Sequence, residues 1–126
     1  MFILVAEDGD DARESLKMLL EIYGHQVRAV CNGLEAVRAA TERTPDVILM
    51  DLGMPQMDGF EAARQIRSMP QTMSVPMIAL SAWVAVGKLR DRALASGYRL
   101  CLVKPIDHKM LSQALEAISR GSGLPD

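Results

Sequence analysis

The chain has 126 residues, with 14 Lys and Arg against 16 Asp and Glu and a formal charge of -2. That length holds one domain with a sizeable core, and the near-balanced charge gives no electrostatic case for nucleic-acid binding. Its two separated cysteines, Cys31 and Cys101, speak against a disulfide scaffold or a cysteine-based zinc site and fit a reducing cytoplasm.

Taken in order, apolar runs alternate with amphipathic stretches. Phe2-Ile3-Leu4-Val5-Ala6 has the continuous aliphatic character of a buried parallel strand and runs into Glu7-Asp8. At about five residues it is too short for a signal peptide or a membrane span. Ala12, Leu16, Leu19, Leu20 and Tyr23 then fall at helical spacing, with Gly24 suited to a left-handed stop. Capping that helix is the alternative to a functional role for Glu7-Asp8, and Asp10 or Asp11 could cap it instead.

Residues 26–31 form a short strand, and Asn32-Gly33 turns into a helix over residues 34–41. Pro45 cannot continue that helix, and a strand over residues 46–50 follows, ending at Asp51. Asp58 caps a helix carrying Phe60, Ala63, Ile66 and Met69. Met77-Ile78-Ala79-Leu80 is a fourth strand ending at Ser81, and a weaker helix spans residues 86–96 up to Gly97. Residues 99–103 make the fifth strand, which ends at Lys104-Pro105; Leu111, Ala114, Leu115 and Ile118 mark the apolar face of a last helix. The nine methionines read as flexible core filling, and His25 and His108 as loop or helix-start residues. Residues 1–120 make the domain, and residues 121–126 read as a frayed tail or the start of a linker.

Repeated strand–helix units with short connections predict an α/β fold, a parallel sheet covered by helices on both faces. The flavodoxin-like doubly wound order 2-1-3-4-5 places the first and third strands side by side. Glu7, Asp8 and Asp51 then meet at the carboxyl edge, where ligands of open α/β sheets bind. Three carboxylates so placed repel one another unless a cation is held among them, which points to a hard divalent ion and makes Asp51 a candidate nucleophile.

With the strand ends in place, the chain resembles the receiver domain of two-component response regulators, from Met1 to about Arg120. Glu7-Asp8, the run from Asp51 through Met54-Pro55 to Asp58-Gly59, Ser81-Ala82 and Lys104-Pro105 stand in the family's order and spacing. The resemblance implies that Asp51 accepts a phosphoryl group from a histidine kinase or a histidine phosphotransfer protein. It implies Mg²⁺ bound by Asp8, Asp51 and the carbonyl of Gly53, with Glu7 acting through a bound water. Lys104, the Ser81 hydroxyl and the Ala82 amide would contact the phosphoryl oxygens, and the Lys104-Pro105 bond would be cis. A switch of this kind is a binding module rather than an enzyme, and it acts on a downstream protein partner or an effector domain. Dimerisation on phosphorylation fits the family, with no membrane or nucleic-acid contact by this domain.

Two positions depart from the family pattern. Cys101 stands where a Tyr or Phe usually acts as a rotameric switch, and a small thiol cannot sweep in and out as a ring does. Trp83, two residues after Ser81, is large enough either to shield an acyl phosphate from water or to anchor a partner. Helices after the last two strands form the expected readout surface, with Lys88, Arg90, Arg92 and Arg99 among its polar residues. A phosphatase of the haloacid-dehalogenase kind would need a second Asp where Gly53 stands. A pseudo-receiver that no longer takes phosphate has only Cys101 in its favour.

Overall fold

Five parallel strands alternate with five helices in the computed structural model, which describes residues 1–54, 57–81 and 88–121. The order along the chain is β1 (Phe2–Ala6), α1 (Asp10–Ile22), β2 (Gln26–Val30), α2 (Gly33–Glu42) and β3 (Val47–Asp51). Then follow α3 (Gly59–Ser68), β4 (Met77–Ser81), α4 (Lys88–Ala95), β5 (Leu100–Val103) and α5 (His108–Ser119). The strands lie in the order β2-β1-β3-β4-β5, as expected for the flavodoxin-like arrangement.

Strand alternation splits the core into two apolar layers. Ile3, Val5, Val47, Leu49, Ile78 and Leu80 face one way and pack with Leu20 of α1 and Leu111, Ala114 and Leu115 of α5. Leu4, Ala6, Ile48, Met50, Met77 and Ala79 face the other way, against Ala36, Ala39 and Ala40 of α2 and Ala62, Ala63 and Ile66 of α3. Every residue of β3 and β4 is buried, whereas the edge strands β2 and β5 are only partly covered. Each fully buried Ile or Leu contributes about 1.5–3 kcal/mol, so these layers set the register that delivers the strand ends. Ala6 pairs with Met50 and Asp51 with Leu80, which brings the residues after β1 and β3 to one edge. No helix among the described residues is long and apolar enough to cross a membrane.

Caps follow the expected chemistry at three helices. Asn32 accepts from the Glu35 amide, Asp58 from the Phe60 and Glu61 amides, and Asp107 from the Lys109 and Met110 amides. The first helix differs: its N-cap is Gly9, and no side chain caps it. Glu7 is drawn instead into an ion pair with Lys104, and Asp10 and Asp11 occupy the first turn, where they favour the positive end of the helix dipole. Strand ends shift by a residue: β3 begins at Val47 rather than Asp46, whose carboxylate accepts from the Phe2 amide at 2.7 Å, and it runs on to include Asp51, which pairs with Leu80 of β4. Methionine is not uniformly core material. Met50, Met54 and Met77 are buried, but Met18, Met73 and Met110 are exposed.

Two glycines mark close approaches rather than flexible joints. Gly33, at the start of α2, lies against the backbone of Met57, where a Cβ would come within 2.1 Å of the Met57 carbonyl oxygen. Met57 itself has a φ of 75°, a left-handed conformation uncommon for a residue with a side chain. Gly59, at the start of α3, is also a close approach: a Cβ there would lie 2.9 Å from the Leu52 Cα and 3.0 Å from the Asp51 carbonyl oxygen. Gly33→Ala should therefore push the segment after β3 and lower the unfolding free energy by about 1–3 kcal/mol, as overpacking does. Urea unfolding checks this, and an unchanged midpoint would contradict the close approach.

Candidate functional site

The carboxyl edge of the sheet gathers charged groups that elsewhere in a protein would be kept in water. Glu7 and Asp51 are both buried, and Ser81 beside them is too. Glu7, Asp8 and Asp51 each offer an oxygen, and these oxygens all lie within 4.8 Å of one another. Asp8 is the exposed member of the three.

Each group arrives by a different strand. Glu7 follows β1, with its amide donating to the Val30 carbonyl at 3.0 Å and its carbonyl held by the Arg13 guanidinium at 3.1 Å. Asp51 is the last residue of β3. Ser81 ends β4, and the Lys104 amide after β5 donates to the Ser81 carbonyl at 2.7 Å. The bond between Lys104 and Pro105 is cis, as the family resemblance implied.

Lys104 is the counter-charge. Its Nζ donates to Asp51 Oδ2 at 3.0 Å and forms a short ion pair with Glu7 Oε1. The other oxygen of Asp51, Oδ1, accepts from the Gly53 amide at 3.0 Å, and Glu7 Oε2 accepts from the Gly9 amide at 3.3 Å. One ammonium among three carboxylates leaves the cluster net negative. Burial first, and then the hydrogen bond and charge of Asp51, push the Glu7 carboxyl up to about 6. Burial would raise Asp51 as well, but hydrogen bonds from Glu7, the Gly53 amide and Lys104 outweigh it and hold that carboxyl below its ordinary value. Burial works against charge on Lys104, yet its bonds to Glu7 and Asp51 keep the ammonium strongly protonated.

The donor set fits one class of metal. The clustered ligand atoms are all carboxylate oxygens, from Glu7, Asp8 and Asp51, and among the described residues neither cysteine nor histidine joins them. Hard oxygen donors with net negative charge suit Mg²⁺, which needs only a few protein ligands because it keeps several waters.

The structure thus brings together Glu7, Asp8, Asp51, Gly53, Ser81 and Lys104; Ala82 and Trp83 lie outside the described residues. His25 sits apart, its Nδ1 3.2 Å from the amino group of Met1. His108 opens α5 and lines a groove of about 530 Å³ that also reaches Glu7 and Lys104. Of the expected readout residues, Arg90 and Arg99 are exposed, while Arg92 stacks over the Phe60 ring at 3.8 Å. Cys101 is half-buried, and burial pushes its thiol up, away from reactivity.

Sequence reasoning missed Arg67 and Tyr98. The Arg67 guanidinium, on α3, donates to the carbonyls of Met73, Val75 and Gly97 at 2.7–2.9 Å. Tyr98 is buried, and its hydroxyl donates to the Gly59 carbonyl at 2.6 Å across 39 residues of chain. The one available signal was an aromatic between a left-handed glycine, Gly97, and the head of a strand.

Comparison with known proteins agrees with this geometry. The response regulator receiver domain model matches residues 3–116. Protein PilH of Pseudomonas aeruginosa is 33% identical over 121 residues, covering 94% of this chain and 98% of PilH. The sensor protein EvgS of Escherichia coli is 33% identical over 116 residues, 92% of this chain but only 9% of EvgS. The receiver domain of the sensor histidine kinase PA1611 of P. aeruginosa PAO1, solved with magnesium coordinated in its active-site cleft, superposes with a TM-score of 0.83. It is 34% identical and covers 94% of each chain. With the sheet order, the acidic edge and this similarity in agreement, the chain belongs to the response regulator receiver domain family of two-component signalling.

Proposed function

We propose that Asp51 is the phosphoacceptor of a Mg²⁺-dependent switch, charged by a histidine kinase or a histidine phosphotransfer protein. The observation that carries this reading is the state of the Asp51 carboxylate. It is buried at a strand end and held ionised, with Oδ2 on Lys104 and Oδ1 on the Gly53 amide. An ionised, oriented carboxylate is a nucleophile already positioned for attack.

In the transfer, an Asp51 carboxylate oxygen forms a bond to phosphorus as the phosphorus–nitrogen bond of the donor phosphohistidine breaks. The electron pair of that bond returns to the leaving imidazole nitrogen. Asp8, Asp51 and the Gly53 carbonyl would hold Mg²⁺, with Glu7 acting through a bound water. When bound, the ion supplies positive charge that neutralises the carboxylates and the phosphoryl oxygens. Lys104 exchanges its contact with the Asp51 oxygen for the transferred phosphoryl group, adding a charge-assisted hydrogen bond. The Ser81 hydroxyl and the Ala82 amide donate to the remaining oxygens.

Supporting the partner side, the groove that reaches Glu7 and Lys104 is walled by Ala12, Leu16, Leu19 and Ile22 of α1 and by Pro105 and Ile106. Ile22 and Met18 on its rim are strongly exposed. An apolar surface beside the acceptor suits a donor protein that must bring its phosphohistidine to Asp51. The acyl phosphate then adds charge beside Ser81 and Lys104, biasing the segments after β4 and β5 toward a downstream protein partner, an effector domain or a second copy. Residues 1–120 form the switch, acting in the cytoplasm.

Intact-mass spectrometry after incubation with acetyl phosphate tests the central assignment. One phosphoryl adduct that requires Mg²⁺ and is lost in Asp51→Asn is the expected result. An adduct retained by Asp51→Asn would contradict it, and no adduct, together with no beryllofluoride binding, would favour a pseudo-receiver.

The raised Glu7 carboxyl predicts a pH dependence with a definite sign. The folded chain holds this proton more tightly than the unfolded chain, whose carboxyl titrates near 4.5, against about 6 when folded. The contribution is therefore full below about pH 4.5 and is lost as pH rises through about 6. Without divalent metal, wild type should lose about 1–2 kcal/mol across that window relative to Glu7→Gln. Mg²⁺ affinity should rise over the same interval, because the metal needs the deprotonated carboxylates. Parallel stability profiles for the two proteins would show that Glu7 titrates normally.

A further inference from the structure

We propose that Tyr98 is a positioning residue for the phosphoryl site, acting from the core layer beneath α3 on the backbone that leads to Gly53. The inference rests on the reading of Asp51 and Gly53 given above and names a residue outside the charged cluster on which that site depends. Tyr98 lies between the end of α4 and the start of β5, and its ring is buried with Ala93, Ile66, Val75 and Met77 in the layer beneath α3. Its hydroxyl donates to the carbonyl of Gly59 at 2.6 Å.

Gly59 is where that hydrogen bond gains its consequence. The residue lies so close to β3 that a Cβ would touch the Leu52 Cα at 2.9 Å and the Asp51 carbonyl oxygen at 3.0 Å. Its amide donates to the Leu52 carbonyl at 3.3 Å. Leu52 in turn is held to β4 through its amide, which donates to the Leu80 carbonyl at 3.0 Å. A pull on the Gly59 carbonyl therefore acts on the backbone of Asp51 and Leu52, and Gly53 is the next residue along. Gly53 is also the residue whose amide orients Asp51 Oδ1.

The other end of the tie is anchored as firmly. Arg67 of α3 donates to the Gly97 carbonyl at 2.9 Å, and its side chain fills the space beside Gly97, where a Cβ would meet Nε at 2.7 Å. The same guanidinium holds the Met73 and Val75 carbonyls. Arg67 thus fixes the residue before Tyr98 from the last turn of α3, while Tyr98 reaches back to the first turn. Together they brace both ends of that helix against the head of β5. On the opposite side, the start of α2 presses on Met57 through Gly33. Met57 is thus pressed by α2, and the backbone of Asp51 and Leu52 by Gly59, whose carbonyl the Tyr98 hydroxyl holds through a neutral hydrogen bond.

Removing only the hydroxyl separates positioning from packing. Tyr98→Phe keeps the ring in its layer but leaves the buried Gly59 carbonyl without this donor. Mg²⁺ affinity, measured by isothermal titration calorimetry with MgCl₂, should weaken about threefold to tenfold, less than the ~10–100-fold carried by direct partners of metal ligands. The rate of labelling by acetyl phosphate should fall at limiting Mg²⁺ and return to the wild-type rate at saturating Mg²⁺. A matched core truncation on the other face of the sheet, Ile3→Val, should bind Mg²⁺ as wild type does. Circular dichroism on each protein establishes that it is folded under the assay conditions. Wild-type Mg²⁺ affinity in Tyr98→Phe, or equal weakening in Ile3→Val, would overturn the inference while leaving the assignment of Asp51 intact. A wild-type chain that takes no phosphoryl group would instead remove the reading on which it rests.

Discussion

Charge repulsion among Glu7, Asp8 and Asp51, with Lys104 as the sole counter-charge recorded among the described residues, is the constraint around which this molecule is arranged. Two buried carboxylates within hydrogen-bonding reach of one ammonium form a site that is costly to fold and ready to take up positive charge. Its cost is visible in the opposite displacements of the two buried acids. Glu7 is pushed up to about 6, while Asp51 is held ionised by Lys104, Glu7 and the Gly53 amide. The same arrangement makes Asp51 nucleophilic and gives a divalent cation a reason to bind.

That site survives because the rest of the fold is stiff where it needs to be. β3 and β4 are buried on both faces, and the two apolar layers leave no freedom of register at the strands that deliver Asp51 and Ser81. A one-residue slip would turn every side chain to the opposite layer. Rigidity is also built into the connection after β3, where Gly59 touches the strand and Gly33 touches Met57. Fold stability and site geometry are therefore one problem at this edge. The Tyr98 hydroxyl belongs to that problem although it makes no contact with the charged cluster itself: it bonds the Gly59 carbonyl from the core layer beneath α3.

Much of this was legible in the chain itself, and the reasons differ by residue. The strands could be read because β1, β3 and β4 are continuous aliphatic runs. The acids at their ends could be read because parallel order carries such ends to one edge. Asp58 could be read as a cap from its place before a helical run, and it caps as expected; at the Asn32-Gly33 turn the structure adds that the Asn32 side chain caps α2. Whether any of four acids caps α1 was not legible, because the ion pair with Lys104, 97 residues away, decides which way Glu7 turns. Local patterns hold no trace of a partner so distant. Arg67 and Tyr98 were missed for the same reason: their partners are backbone carbonyls, which carry no side-chain signature in a sequence.

The magnesium dependence of thermal stability tests the account most directly. A cation that binds the folded acidic edge and not the unfolded chain must stabilise it, by about 2.7 kcal/mol at a concentration 100 times its dissociation constant. The account predicts that the wild-type midpoint climbs with the logarithm of Mg²⁺ concentration, and that Asp8→Asn, which removes the exposed carboxylate of the cluster, loses most of that climb. A wild-type midpoint indifferent to Mg²⁺, or an Asp8→Asn protein that responds just as strongly, would contradict it.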